Sequence, residues 1–158
     1  MPTRFYRANI SWDFFCTFRG FTVIELILVI GIIGLLASIT GPVFHTVQVK
    51  NELKDSTNIL VQSLWRAQLL AQAVSQDSDW SVEIDTNKVI IFKGTNFILR
   101  DQSFDQQENL SSHVSFSGLN EIRFNKFSGL PQNTGSVSIS TDLETKNLNI
   151  NAKGRIDF

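Results

Sequence analysis

Gly20-Phe21-Thr22-Val23-Ile24-Glu25-Leu26 opens a run that stays apolar to Ile39, and one residue in it is out of place. Glu25 is the only ionisable group between Arg19 and His45. Moving a carboxylate toward a bilayer core costs several kcal/mol, so a lone acid inside such a run is a functional signal. The run Phe21–Ile39 is close to the roughly 20 residues that cross a hydrocarbon core. Gly31 and Gly34 lie on it, and small residues let neighbouring helices approach closely, although glycine is also common in membrane helices.

Working outward toward the C-terminus, Gly41-Pro42 comes next. A proline inside a helix removes one hydrogen bond and clashes with the carbonyl four residues back, so it ends the helix or bends it. The pattern beyond argues for a bend. Leu53, Thr57, Leu60, Leu64, Ala67, Ala71 and Val74 recur in alternating steps of four and three, which is a helical stripe. One long helix, bent near Pro42, is expected from Phe21 to about Ser75. Its first half is apolar all round and its second half amphipathic. The stripe is expected to hold a globular head, with Trp65, Trp80 and the head's phenylalanines in its core.

After Gln76-Asp77-Ser78-Asp79 the period changes to two. Trp80–Asp85, Lys88–Phe92, Phe97–Leu99, His113–Phe116, Glu121–Phe124, Ser136–Ile139 and Asn147–Ile150 read as short half-buried strands between polar turns. The stretch from Arg100 to Asn109 reads as loop, pinned by Phe104. The fold class is therefore α+β: a long N-terminal helix packed against a small antiparallel β-rich head.

The residues around Glu25 make its role specific. Arg19-Gly20-Phe21-Thr22 with Ile24, Glu25 and Leu26 resembles the processing site of type IV prepilins and type II secretion pseudopilins; Val23 stands where leucine is commoner. The resemblance implies a pilin-like fold. It also implies cleavage by a prepilin peptidase after Gly20, methylation of the new N-terminal Phe21, and pairing of Glu25 with the amine of a neighbouring subunit. Ile122-Arg123-Phe124, Gly129, the Val137–Ile139 and Leu148–Ile150 strands and Gly154-Arg155-Ile156 resemble the head of the GspH and FimT-like minor subunits. Gly129 and Gly154 also read as turn positions that need positive φ. The segments that follow are a leader (1–20), a transmembrane helix half (21–41), an amphipathic helix half (42–76) and a β-rich head (77–158). An ordinary secretory signal is the competing reading, with Leu36-Ala37-Ser38 imitating its cleavage site; the length of the apolar run and Glu25 argue against it.

Charge and cysteine usage narrow the classes further. The full chain carries a net −1; without the first 20 residues, 11 basic and 14 acidic residues leave −3. Arg4, Arg7 and Arg19 precede the apolar run, so the positive-inside rule keeps the N-terminus cytoplasmic and puts the head outside the inner membrane. A net of −3 gives no general attraction to nucleic acid. The only cysteine, Cys16, lies in the expected leader, so the processed chain can form no disulfide.

No catalytic constellation is visible. His45 and His113 are isolated, without the spacing of a metal site. Hydrolase-elbow, phosphate-loop and dinucleotide patterns are absent. The expectation is a non-enzymatic minor pseudopilin of a type II secretion system, in a short filament that drives protein export, with no cofactor, metal or small-molecule ligand. Its expected partners are the prepilin peptidase, other pseudopilins or pilins, and inner-membrane lipid. The alternative is a type IV pilus minor pilin of the same fold, in pilus assembly or DNA uptake, with Lys153 and Arg155 as the nucleic-acid contacts. Asp142, Glu144 and Asp157 balance Lys146, Lys153 and Arg155 in that region, which weakens the alternative.

Overall fold

The structure, a computed structural model, describes residues 20–158, without the side chains of residues 39–43. The rest of the expected leader, with Cys16 and its three arginines, lies outside the described residues. One helix, α1 (Val23–Gln72), runs through Pro42, so the proline does not end it. The expected ends at Phe21 and Ser75 draw in to Val23 and Gln72. At the C-terminal end the backbone turns left-handed at Val74, Gln76 and Asp77, with φ of 54°, 56° and 54°. The Phe127 N–H donates to the Ala71 carbonyl at 3.1 Å and satisfies one of the last orphan acceptors of the helix.

The chain divides into two compact units between Thr40 and Gly41. In the first, the apolar side chains of α1 point outward on every side, from 41% exposed at Val29 to 76% at Val23. Among the described residues no helix is long and apolar enough to cross a membrane. The described side chains of this half stop at Ser38, while the apolar run continues in sequence to Ile39.

In the second unit the helical stripe is buried. Leu53, Thr57, Leu60, Leu64, Ala67 and Ala71 are all 2% exposed or less. They face two antiparallel sheets. The strands are β1 (Trp80–Asp85), β2 (Lys88–Lys93), β3 (Gln106–Asn109), β4 (Ser115–Gly118), β5 (Glu121–Phe124), β6 (Gly135–Ser140), β7 (Thr145–Ile150) and β8 (Ile156–Asp157). One sheet has the order β3-β2-β1-β5 and the other β4-β6-β7-β8. Alternation along each strand sends Trp80, Val82, Ile84, Val89, Ile91, Ile122, Phe124, Val137, Ile139, Leu148 and Ile150 into one core with the stripe.

The first sheet is buried on its other face too, which a plain alternating pattern does not announce. Ile90 and Phe92 are 1% and 0% exposed. The loop from Gly94 to Asp105 covers that face: Phe97 meets Phe92 edge-on, centroids 5.3 Å apart. Arg100 holds the loop down, with Nε 2.9 Å from Asp105 and the guanidinium 3.7 Å from the Phe97 ring.

Several expectations are corrected here. Phe97–Leu99 is not a strand: the Asn96 side chain accepts from the N–H groups of Ile98 (2.9 Å) and Leu99 (3.1 Å), and this local turn competes successfully with strand pairing. Ile98 and Leu99 stand exposed. The Arg100–Asn109 stretch is not all loop, because Gln106–Asn109 pairs with β2 as an edge strand; its polar residues hid it. Phe104 does pack against the core. The strand expected at His113–Phe116 begins at Ser115 and ends at Gly118. Trp65 is not core. It follows Leu64 by one residue, about 100° around the helix, and is half exposed beside exposed Leu69. Phe127 and Phe158 are exposed as well, whereas Trp80, Phe92 and Phe124 are buried as expected.

Candidate functional site

The first candidate is the start of α1. Thr22 is its N-cap: Oγ1 accepts from the Glu25 N–H at 3.3 Å, and the Thr22 carbonyl accepts from the Leu26 N–H at 3.1 Å. Thr-x-x-Glu is the sequence of a capping box, and an acid in the first turn also opposes the positive end of the helix dipole. The same four residues that resemble a processing motif therefore also start the helix. Gly20 and Phe21 precede the cap in irregular, exposed backbone. Cutting the Gly20–Phe21 bond would create an α-amine at Phe21, cationic below about pH 7.7–8.

The second candidate is the C-terminal turn that carries Lys153 and Arg155, between β7 and β8. Asn151 organises it, with Oδ1 accepting from the N–H groups of Lys153 (2.9 Å) and Arg155 (3.1 Å). The Arg155 guanidinium is not a free cation. Its Nε lies 2.7 Å from Asp157 Oδ1 in an exposed ion pair. Lys153 is exposed on the same turn. The structure thus brings the two basic residues together and adds an acid to them.

Gly129 and Gly154, far apart in sequence, meet on one side chain of α1. Gln68 Nε2 donates to the Gly129 carbonyl (3.1 Å) and to the Gly154 carbonyl (3.4 Å). Both glycines are left-handed, with φ of 61° and 74°. A Cβ on Gly129 would run into Gln72, and one on Gly154 into Gln68. The two glycines of the C-terminal pattern are therefore packing residues, and Gln68 is the residue that sequence reading missed. Its two partners lie 61 and 86 residues away, so no local pattern points to it.

A third cluster joins α1 to the β3–β4 loop. Glu52 Oε2 accepts from Ser111 Oγ at 2.8 Å and lies 2.8 Å from His113 Nδ1, while Gln48 reaches Oε1 at 3.0 Å. Hydrogen bonds from Ser111, then Gln48, then His113 hold the Glu52 carboxyl below its ordinary range. His113 is thus tied into a surface latch, and His45 lies exposed elsewhere on α1. Among the described residues no group of His, Cys, Asp or Glu is arranged to hold a metal ion.

No family model matches the chain, and no curated protein matches it in sequence. Among solved structures, the chain is similar to the minor pseudopilin EpsH from the type 2 secretion system of Vibrio cholerae. The likeness has a TM-score of 0.50 at 17% identity and covers 67% of this chain and 94% of that one. At this identity the likeness speaks for architecture: the chain has a pseudopilin-like fold, a long helix under an antiparallel β head.

Proposed function

We propose that the chain is a minor pseudopilin, a structural subunit of a type II secretion system that is cut after Gly20 and assembles into a short periplasmic filament. The observation that carries this reading is the junction at residues 20–25. An exposed Gly20-Phe21 pair sits directly before a capped helix whose first half, from Val23 to Ser38, turns its apolar residues outward and carries Glu25 as its one acid. Such a helix needs cover. Residues 21–41 are its bacterial inner-membrane anchor before assembly, and other subunits cover it afterwards. Lipid and like subunits are therefore its partners. The pseudopilin-like fold is that of a structural subunit, which agrees with the absence of any reactive constellation in the sequence.

Glu25 acts in assembly. In a low-dielectric bundle its carboxylate and a neighbour's Phe21 amine attract strongly, and either one left alone is penalised. The pair disfavours wrong register more than it adds net stability. Glu25→Gln keeps the shape and removes the charge. Leader cleavage and membrane insertion should persist, while crosslinking to partner subunits in the membrane should drop severalfold. Wild-type crosslinking and secretion by Glu25→Gln would remove the charge pair from the mechanism. The reading as a DNA-uptake subunit is disfavoured by the pairing of Arg155 with Asp157.

A further inference from the structure

The two sheets have four edges, and three of them are blunted. Residues 131–133 cover β5: Phe124 bridges to Pro131, the Gln132 N–H donates to Arg123 O at 2.8 Å, and the Arg123 N–H donates to Asn133 Oδ1 at 3.0 Å. The short β8 is flanked by Lys153 and Arg155, and β3 carries Glu108. Charges, prolines and short length are the usual protections against stray strand pairing. The remaining edge, β4, is Ser115-Phe116-Ser117-Gly118 and has neither charge nor proline.

That edge borders a groove of about 760 Å³. The register of β4 on β6 pairs Phe116 with Ile139, and the next pair out, Leu119 with Ser136, is hydrogen-bonded at 3.1 Å. Bonded pairs alternate in an antiparallel ladder, so the N–H and C=O of Phe116 point to the open side. Across the groove, β5 ends at Glu121 opposite Glu83, and Asp85 has no strand beside it on that side. The lining carries Glu83, Asp85 and Asp142 with His113 and no lysine or arginine; Lys88 lies 3.9 Å from Asp85 in an exposed pair, which an incoming cation can replace. Burial first, and then the charges of Glu121 and Asp85, push the Glu83 carboxyl above its ordinary range.

We propose that the open edge of β4 takes an extended, lysine- or arginine-bearing segment of another polypeptide as an added strand, its cationic side chains set against Glu83, Asp85 and Asp142. Strand addition supplies affinity through the backbone and selectivity through alternate side chains. β4 runs from Ser115 to Gly118, so an added strand of similar length can pair along it. The proposal requires only the fold. It stands apart from the filament reading, and either can fail without the other.

The test uses the full chain in detergent and a short fluorescent peptide alternating lysine and threonine. Saturable binding is expected by anisotropy. A peptide alternating lysine and proline has the same charge but lacks N–H groups at alternate residues, and it should bind at least about tenfold more weakly. Glu83→Gln combined with Asp85→Asn should weaken the lysine–threonine peptide by about tenfold, and Ser117→Lys should do the same by placing a like charge on the edge. Equal binding of the proline peptide would reduce the effect to charge attraction and overturn the strand. Unchanged binding by both sets of variants would move the peptide elsewhere and overturn the site. No binding of the lysine–threonine peptide to the wild type would overturn the proposal outright.

Discussion

Gln68 and Glu83 show how single side chains set the head's stability in opposite directions. Gln68 is half buried and donates to two carbonyls whose glycines leave it the space. Gly154→Ala adds a Cβ to a backbone at φ 74° and drives it into Gln68. Left-handed strain on a non-glycine residue costs on the order of 1–3 kcal/mol, and the displaced hydrogen bond adds to it. Denaturant unfolding should therefore show a loss of at least about 1 kcal/mol; a loss under half that would mean the turn moves freely away from the helix. Glu83 works the other way. Its pKa is raised in the folded state, so the folded protein binds this proton more tightly than the unfolded chain does. Its unfavourable contribution is absent below the unfolded pKa, grows as pH rises through the window up to the raised folded value, and stays in full above it. Glu83→Gln should raise the melting temperature at pH 7, and the gain should vanish at pH values below the ordinary glutamate range. A gain that persists unchanged in acid would assign the effect to something other than charge.

At the level of elements, the long helix and most strands were legible because their periods are clean. The predicted stripe is buried from Leu53 to Ala71, while Val74, its last expected member, lies beyond the end of α1 and is half-buried; β1, β2, β5, β6 and β7 lie where alternation put them. Leu64 is fully buried in the centre of that stripe. Leu64→Ala should cost about 2–5 kcal/mol of unfolding free energy, and a change within about 0.5 kcal/mol would mean the stripe does not pack on the sheets. What the sequence hid was hidden for physical reasons. The Phe97–Leu99 run is apolar enough for a strand, yet Asn96 bonds its amides first. β3 is all polar and pairs through backbone alone. Trp65 is large and apolar, but α1 turns it away from the core. At the candidate site, the expectation for Gly20, Phe21 and Glu25 comes from local order, since a glycine, an acid and an apolar run are neighbours in sequence, and the N-terminal sequence of the processed protein decides it. Gln68 was not, because its partners lie 61 and 86 residues away.

The whole molecule joins two kinds of surface on one chain. The head buries its apolar stripe against its own sheets, and the first half of α1 buries nothing of the kind. Among the described residues the first half of α1 has no apolar partner, and on the proposed reading a membrane or neighbouring subunits cover it. That asymmetry supports the proposed reading of the chain as an assembling subunit; the likeness in fold agrees with it. The account depends most on where the chain is cut. The most direct measurement is the N-terminal sequence of the protein extracted from the membranes of a host that has a prepilin peptidase. The account predicts a chain beginning at Phe21 with a methylated amine. A chain beginning near Ser38 would be the product of an ordinary secretory signal and would contradict it.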